Sequence, residues 1–377
     1  MPDARHRVLL IAGIDAVGIA RLPSLFARGG YTVDLLASAA IAASKSSYVS
    51  KLLPCAKDPH AAARAAREHL AVHRHEYRMI VLADEPTFWA ALDLSPRDWL
   101  EGWFPVPVTP ESLLRQGSKL QFLQDSRDAG IGTPRFEVCR DAEELRAAIE
   151  KVGLPVYIKA SRGLSGSGVF FTASFAELEG HISAMSFQEP VVAQQEIVGD
   201  TVSVSVLYEH GRPVCWFLYK MRNMWPNRFA SASSVEFFSH PDAPEIVRQV
   251  GELTQFHGLA GIDLMLEECT GKLLLLEFNP RPTPAYYLGW HVGVDFSRAL
   301  RDCGSGAPQQ TPNDRHDVVP MFPQSLYHAW STADPVLFAR TLADAPWEET
   351  NLVAAHFRRF MTHFMPESVK TVLKRKP

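Results

Sequence analysis

Cysteine is scarce and shows no pairing pattern. Cys55, Cys139, Cys215, Cys269 and Cys303 are an odd set, widely scattered and without a CxxC pair. That excludes a disulfide framework and a thiolate metal site, and it points to a reducing compartment. Positive charge is not in excess either: 38 basic residues stand against 42 acidic ones, for a formal net charge of -4. Nothing in that balance attracts nucleic acid, so an anionic ligand needs a local cluster of cations. Long apolar runs are missing as well. The stretch at residues 8–14 is broken by Gly13, is too short to span a bilayer and lacks a signal-peptide profile, so no transmembrane segment is expected and the cytoplasm is the expected location. Neither GxGxxG nor GxxxxGK[ST] occurs in the loop from Gly13 to Gly18 or in the later glycine-rich stretch, and internal repeats and low-complexity linkers are absent.

What is present is an ordinary globular composition, 46% hydrophobic and 21% charged, over 377 residues. That length predicts two or three packed units. Apolar strands at 8–12, 31–36 and 79–83 alternate with helical stretches at 19–27 and 60–73, which predicts a parallel α/β domain over residues 1–110. Residues 111–155 read as a helical connector, with one helix at 110–124 and another capped by Asp141. Strand-rich sequence follows at 156–159, 169–172, 191–195 and 202–208, with a hairpin turn at Glu209-His210-Gly211-Arg212. A helix is expected at 242–257 and two more strands at 261–266 and 273–278, so this part is α+β. Residues 304–377 form a C-terminal extension. It begins as a surface loop, and its basic amphipathic tail reads either as a packed helix with a solvated face or as a contact for a membrane or partner.

Two stretches carry chemistry. Lys159 ends a short strand and opens Lys159-Ala160-Ser161-Arg162-Gly163-Leu164-Ser165-Gly166-Ser167-Gly168. Three glycines let backbone approach an anion, and serine hydroxyls and N–H groups donate to phosphate oxygens, although hairpins of this composition also occur as plain structure. In the second stretch, Glu277 and Asn279 follow four consecutive leucines and share one face of a strand, while Asp263 lies on the strand before it. Three hard oxygen donors that leave room for water and phosphate suit magnesium, with manganese as an alternative. A carboxylate emerging from so apolar a strand needs a compensating cation, whether a metal or a salt-bridge partner.

In that order, the two stretches resemble the ATP-grasp superfamily of carboxylate–amine and carboxylate–thiol ligases, and the resemblance covers nearly the whole chain. It implies an ATP-grasp fold with an N-terminal parallel α/β preATP domain (1–110), the connector, a lid subdomain (156–235), a carboxylate- and metal-bearing subdomain (236–303) and the extension. By the same resemblance, Lys119 and Lys159 contact the nucleotide, and Ser165, Gly166 and Gly168 belong to the lid. Gln194, Gln195, Glu196 and Ile197 form the adenine hinge, and Thr201 stands where many relatives have a ribose-binding glutamate. Asp263, Glu277 and Asn279 are the implied metal ligands, and Arg281 steadies the transferred phosphoryl group. Lys220 or Arg222 is the basic residue near the γ-phosphate. The implied activity is ATP-dependent activation of a carboxylate as an acyl phosphate, coupling to an amine or related nucleophile, and release of ADP and phosphate. A non-catalytic nucleotide-binding protein and a phosphotransferase without ligation are the alternatives. Tyr286, Tyr287, Trp290 and His291 after Arg281 either pack the core or line an acceptor cavity, and Arg228 and Arg298 are candidates to pair a substrate carboxylate. The expected partners are small molecules, and homodimerisation is expected on the base rate of soluble proteins.

Overall fold

A computed structural model describes residues 6–160, 168–185, 187–224 and 232–365. The chain opens with β1 (Arg7–Ala12), α1 (Leu22–Arg28), β2 (Thr32–Ala37), β3 (Val49–Pro54), α2 (Pro59–His73), β4 (Met79–Leu82) and α3 (Glu85–Asp93). The four strands are parallel in the order β3-β2-β1-β4. Successive residues of β1 serve two cores: Leu9 and Ile11 pack with α2 alanines, and Val8, Leu10 and Ala12 pack with Leu22, Leu25 and Phe26 of α1. Sequence pattern missed β3. It is an edge strand whose Ser50, Lys51 and Pro54 are exposed, so it carries no apolar run. The strand order reverses between β1 and β4, and a crevice at such a switch point is where open α/β sheets bind ligands.

The connector contains α4 (Pro110–Gly117) and α5 (Lys119–Asp128). Ser118 separates them because its extended backbone caps α5, its Oγ accepting from the Gln121 N–H at 3.2 Å. A small antiparallel layer follows: β5 (Phe136–Cys139), α6 (Ala142–Val152), β6 (Val156–Ala160), β7 (Val169–Thr172), α7 (Phe175–Ala184) and β8 (Val191–Gln195), with strand order β5-β8-β6-β7.

The third sheet is built from β9 (Gly199–Glu209), β10 (Arg212–Met224), β11 (Ala232–Phe237), then, after α8 (Ala243–Thr254), β12 (Gly258–Glu267) and β13 (Leu273–Asn279). Beyond α9 (Phe296–Asp302), β14 (Val318–Pro320) completes the order β13-β12-β9-β10-β11-β14. The expected subdomain borders at 155/156 and 235/236 do not follow these sheets. β5 lies in the expected connector yet pairs with β8, and β9 to β11 lie in the expected lid yet pair toward β12. Strand pairing is non-local and decided by which faces are buried, which the texture of one segment does not reveal. The chain ends in α10 (Gln324–Ser331), α11 (Pro335–Ala343) and α12 (Thr350–Phe364). The expected basic amphipathic helix is α12, which buries Leu352, Val353, His356 and Phe360; residues from 366 onward lie outside the described residues. No helix among the described residues is long and apolar enough to cross a membrane.

Candidate active site

Alternation along β9 gives the large sheet two unlike faces. Val202, Val204, Val206 and Tyr208 are buried against α8 through Ile246, Val247 and Val250. The opposite face presents Thr201, Ser203 and Ser205, and cross-strand register sets Tyr219, Ser203, Asp263 and Glu277 in one row.

That row depends on two strand irregularities. The β12–β13 ladder runs Leu266↔Leu273, Met265↔Leu274 and Leu264↔Leu275, then skips Leu276 so that Asp263 faces Glu277. An unbroken ladder would set Glu277 opposite Ile262, on the apolar face. The β9–β10 hairpin shifts likewise, between Pro213 and Cys215, and Lys220 falls opposite Val202. Counting from the turn without that shift would put Lys220 opposite Thr201. Lys220 and Arg222 therefore share the face of Val202 and Asp200, away from the carboxylate row. Lys220 Nζ is 2.8 Å from Asp200 Oδ2, and Arg222 bridges Asp200 at 2.5 Å and Glu236 at 2.7 Å. The hydrogen bond from Arg222, then that from Lys220, holds the Asp200 carboxyl below its usual range against a smaller opposing effect of burial.

On the polar face the charges interlock. Lys119, the first residue of α5, places Nζ 3.0 Å from Glu277 Oε2 and 3.6 Å from Glu85 Oε1. Asp263 Oδ1 accepts from Ser203 Oγ at 2.8 Å, and its Oδ2 accepts from Asn279 Nδ2 at 2.8 Å. Arg281 Nη2 donates to Asn279 Oδ1 at 3.3 Å, and Arg281 Nε lies 3.9 Å from Glu85 Oε2. Beneath them, Ser205 and Thr283 hydroxyls are 2.5 Å apart. Gly261 must lack a side chain there, because a Cβ would come within 2.7 Å of Thr283 Cγ2.

Burial and neighbouring charge set the titration of the cluster. Burial would raise the Glu277 carboxyl, but Lys119 and Lys159 outweigh it and hold it low. Burial and the nearby Glu277 raise Asp263. Burial works against charge on Lys119, yet Glu277 and Glu85 overcome it and raise its pKa. Lys159 is lowered by burial, with Glu277 opposing.

The lid-sheet residues are arranged around Lys159, whose Nζ donates to Gln194 Oε1 at 2.5 Å across from β6 to β8. Gln194 is buried, and its Nε2 has no hydrogen-bond partner among the described residues. An unpaired buried amide donor fits a polar ligand at that position. Gln195 is tied to Arg135 twice, its Oε1 accepting from Arg135 Nε at 3.1 Å and its N donating to Arg135 O at 2.8 Å; Glu196 N donates to Pro155 O at 3.2 Å, and Ile197 is buried. Thr201 Oγ1 donates to Met265 Sδ at 3.8 Å, beside the carboxylate row. Gly168 adopts φ +79°, and its carbonyl accepts from Ala160 N at 2.9 Å, closing the turn base. Ser165, Gly166 and Arg228 lie outside the described residues.

Glu85 was missed by sequence reasoning. Asp84 caps α3, accepting from Thr87 N at 2.8 Å through Oδ1 and from Gly13 N at 2.9 Å through Oδ2, and so ties the end of β1 to the start of α3. This fixes Glu85 at the first helical residue, with its side chain 3% exposed, at the β1/β4 switch point. Burial pushes its carboxyl up to about 7; Lys119 opposes the rise and Glu277 adds to it. A strand ending in two acids followed by Pro86 was the available signal, but only the fold brings it to Arg281.

No group of three or more His, Cys, Asp or Glu able to hold a metal occurs among the described residues. Two carboxylates and an amide match the smaller donor set that magnesium takes when phosphate and water complete its shell. Asp263, Glu277 and Asn279 therefore fit magnesium chemically.

Residues 116–285 match the ATP-grasp domain model, so that stretch carries an ATP-grasp domain. A D-alanine–D-alanine ligase of Xylella fastidiosa (strain Temecula1) is 26% identical over 193 residues, which cover 48% of this chain and 64% of that one. The chain thus spans less than two thirds of that relative. An N5-carboxyaminoimidazole ribonucleotide synthetase solved with ADP shares the fold at TM-score 0.65 and 14% identity, covering 84% of this chain and 81% of its own. So does the biotin carboxylase domain of Hydrogenobacter thermophilus 2-oxoglutarate carboxylase, solved with MgADP, ADP and bicarbonate, at TM-score 0.64 and 15% identity, covering 83% and 73%.

Proposed function

We propose that this protein is an ATP-dependent ligase that activates a small carboxylate as an acyl phosphate and couples it to an amine or related nucleophile. The observation that carries the reading is the single face on which Lys119, Asp263, Glu277, Asn279 and Arg281 converge, opposite Glu85 from the first domain. Lys119 and Lys159 hold phosphate oxygens of ATP, and the stretch from Gln194 to Ile197 receives the adenine, with Thr201 toward the ribose. Asp263, Glu277 and Asn279 would hold magnesium, which when bound neutralises charge on the phosphates. Arg281 stabilises the γ-phosphoryl group as it passes to a carboxylate oxygen and ADP departs, and it then holds the acyl phosphate. The nucleophile's nitrogen attacks the acyl carbon and phosphate leaves. Glu85, with a carboxyl poised near 7, receives the ammonium of the incoming amine and takes up its proton.

Incubation with ATP, magnesium and a panel of small acids and amines tests this reading. ADP, phosphate and a condensed product that requires both substrates are expected. Formation of AMP and pyrophosphate, or phosphorylation without condensation, contradicts it.

A further inference from the structure

Tyr286, Tyr287, Trp290 and Arg298 line a cavity of about 290 Å³ between α1, the turn Tyr286–Val292 and α9, and its wall shares no residue with the carboxylate cluster. Four arginines line it, Arg21, Arg28, Arg298 and Arg301, against one acid, Asp295. The Asp295 carboxylate is engaged in capping α9, accepting from Arg298 N at 3.0 Å.

The arginines differ in how far they are neutralised. Arg21 lies 3.1 Å from Asp344 and stacks 3.9 Å from the centre of the Tyr287 ring. Arg28 pairs with Glu348 at 2.6 Å, and Arg301 pairs with its exposed neighbour Asp302 at 3.4 Å. Exposed pairs of this kind are worth little and exchange readily for a better anion. For Arg298 there is no ion pair among the described residues. Beside it, the Trp290 ring is stacked on His291, with centroids 3.7 Å apart, and is 65% exposed. A pinned indole offered to solvent is a stacking platform, and it sits at the edge of a pocket whose lining carries four guanidinium groups.

We propose that this pocket is a second ligand site, which takes a phosphorylated small molecule bearing a planar ring. The ring stacks on Trp290, and the phosphate is received by Arg298 with Arg28 and Arg301, whose planar forks match phosphate oxygens. The volume is near the lower end of small-molecule pockets, roughly 300 Å³, so the ligand is of mononucleotide size. The site stands independently of the ligase reading.

Calorimetric titration of AMP into the full chain, with the catalytic cleft saturated by MgADP, tests it. One AMP is expected to bind per chain, more tightly than adenosine or inorganic phosphate alone. Arg298→Ala and Trp290→Ala should each weaken that binding at least about tenfold, Arg298→Lys less, and all three should leave MgADP affinity unchanged. Both positions are exposed, so melting temperatures should hold. Absence of AMP binding in the presence of MgADP overturns the proposal, as does binding that ignores both alanine variants or phosphate binding as tightly as AMP.

Discussion

The two faces of the six-stranded sheet come from the same strands and do opposite work. One carries Val202, Val204 and Val206 into an apolar core; the other carries Thr201, Ser203 and Ser205 toward Asp263 and Glu277. Substitutions on the first face should therefore change stability and spare ligand binding, whereas substitutions on the second should do the reverse. The bulge at Leu276 puts Glu277 on the polar face, and the shift near Pro213 keeps Lys220 off it.

The largest effect expected is at Arg281. In the proposed mechanism Arg281→Ala removes a donor aimed at charge that develops in the transition state, so kcat should fall about 10²–10³-fold while ADP affinity changes little. A loss confined to KM would move Arg281 from the phosphoryl group to simple substrate binding.

Glu85 sharpens the comparison through pH. Its folded pKa of about 7 exceeds its ordinary value of 4.5, so between those values the folded protein retains a proton that the unfolded chain has released. Stability must then fall as pH rises through that window. Urea unfolding of the metal-free protein should show the wild type losing roughly 2–3 kcal/mol relative to Glu85→Gln between pH 5 and pH 8, at about 1.4 kcal/mol per pKa unit. Parallel stability curves would mean that Glu85 is ionised throughout.

On the apolar face, Val204 is fully buried. Val204→Ala should destabilise the fold by about 2 kcal/mol through lost burial and a small cavity, with ADP affinity intact. The smallest effect belongs to Lys220, whose partner Asp200 is one third exposed. Lys220→Ala should cost less than about 1 kcal/mol and leave kcat near wild type. A large fall in kcat would show that alternation misassigns its face.

Much of this arrangement could be read from residue order. Four leucines before Glu277 and Asn279, and Lys159 before the glycine-rich stretch, are local patterns with direct chemical meaning. The β1, β2 and β4 strands also announced themselves by apolar runs, whereas β3 did not, because its Ser50, Lys51 and Pro54 are exposed, unlike the residues of the other edge strand, β4, which are all buried. The face of Lys220 and Arg222 was not legible for a different reason: face assignment across a hairpin depends on register, and a one-residue shift reverses it. Ser203 and Thr283 were invisible because small hydroxyl residues occur everywhere, and their meaning lies in partners 60 and 78 positions away. Glu85 was hidden in the same way, since its partners Lys119 and Arg281 come from other layers.

The central claim is that the polar face binds a metal–nucleotide complex through Glu277. Calorimetric titration of ADP with and without magnesium, on wild type and Glu277→Gln, tests it most directly. Wild type should bind ADP more tightly with magnesium. In Glu277→Gln most of that gain should vanish while metal-free ADP binding persists, and the melting temperature should fall because Lys119 loses its ion-pair partner. A Glu277→Gln protein that keeps the full magnesium-dependent gain would contradict the account.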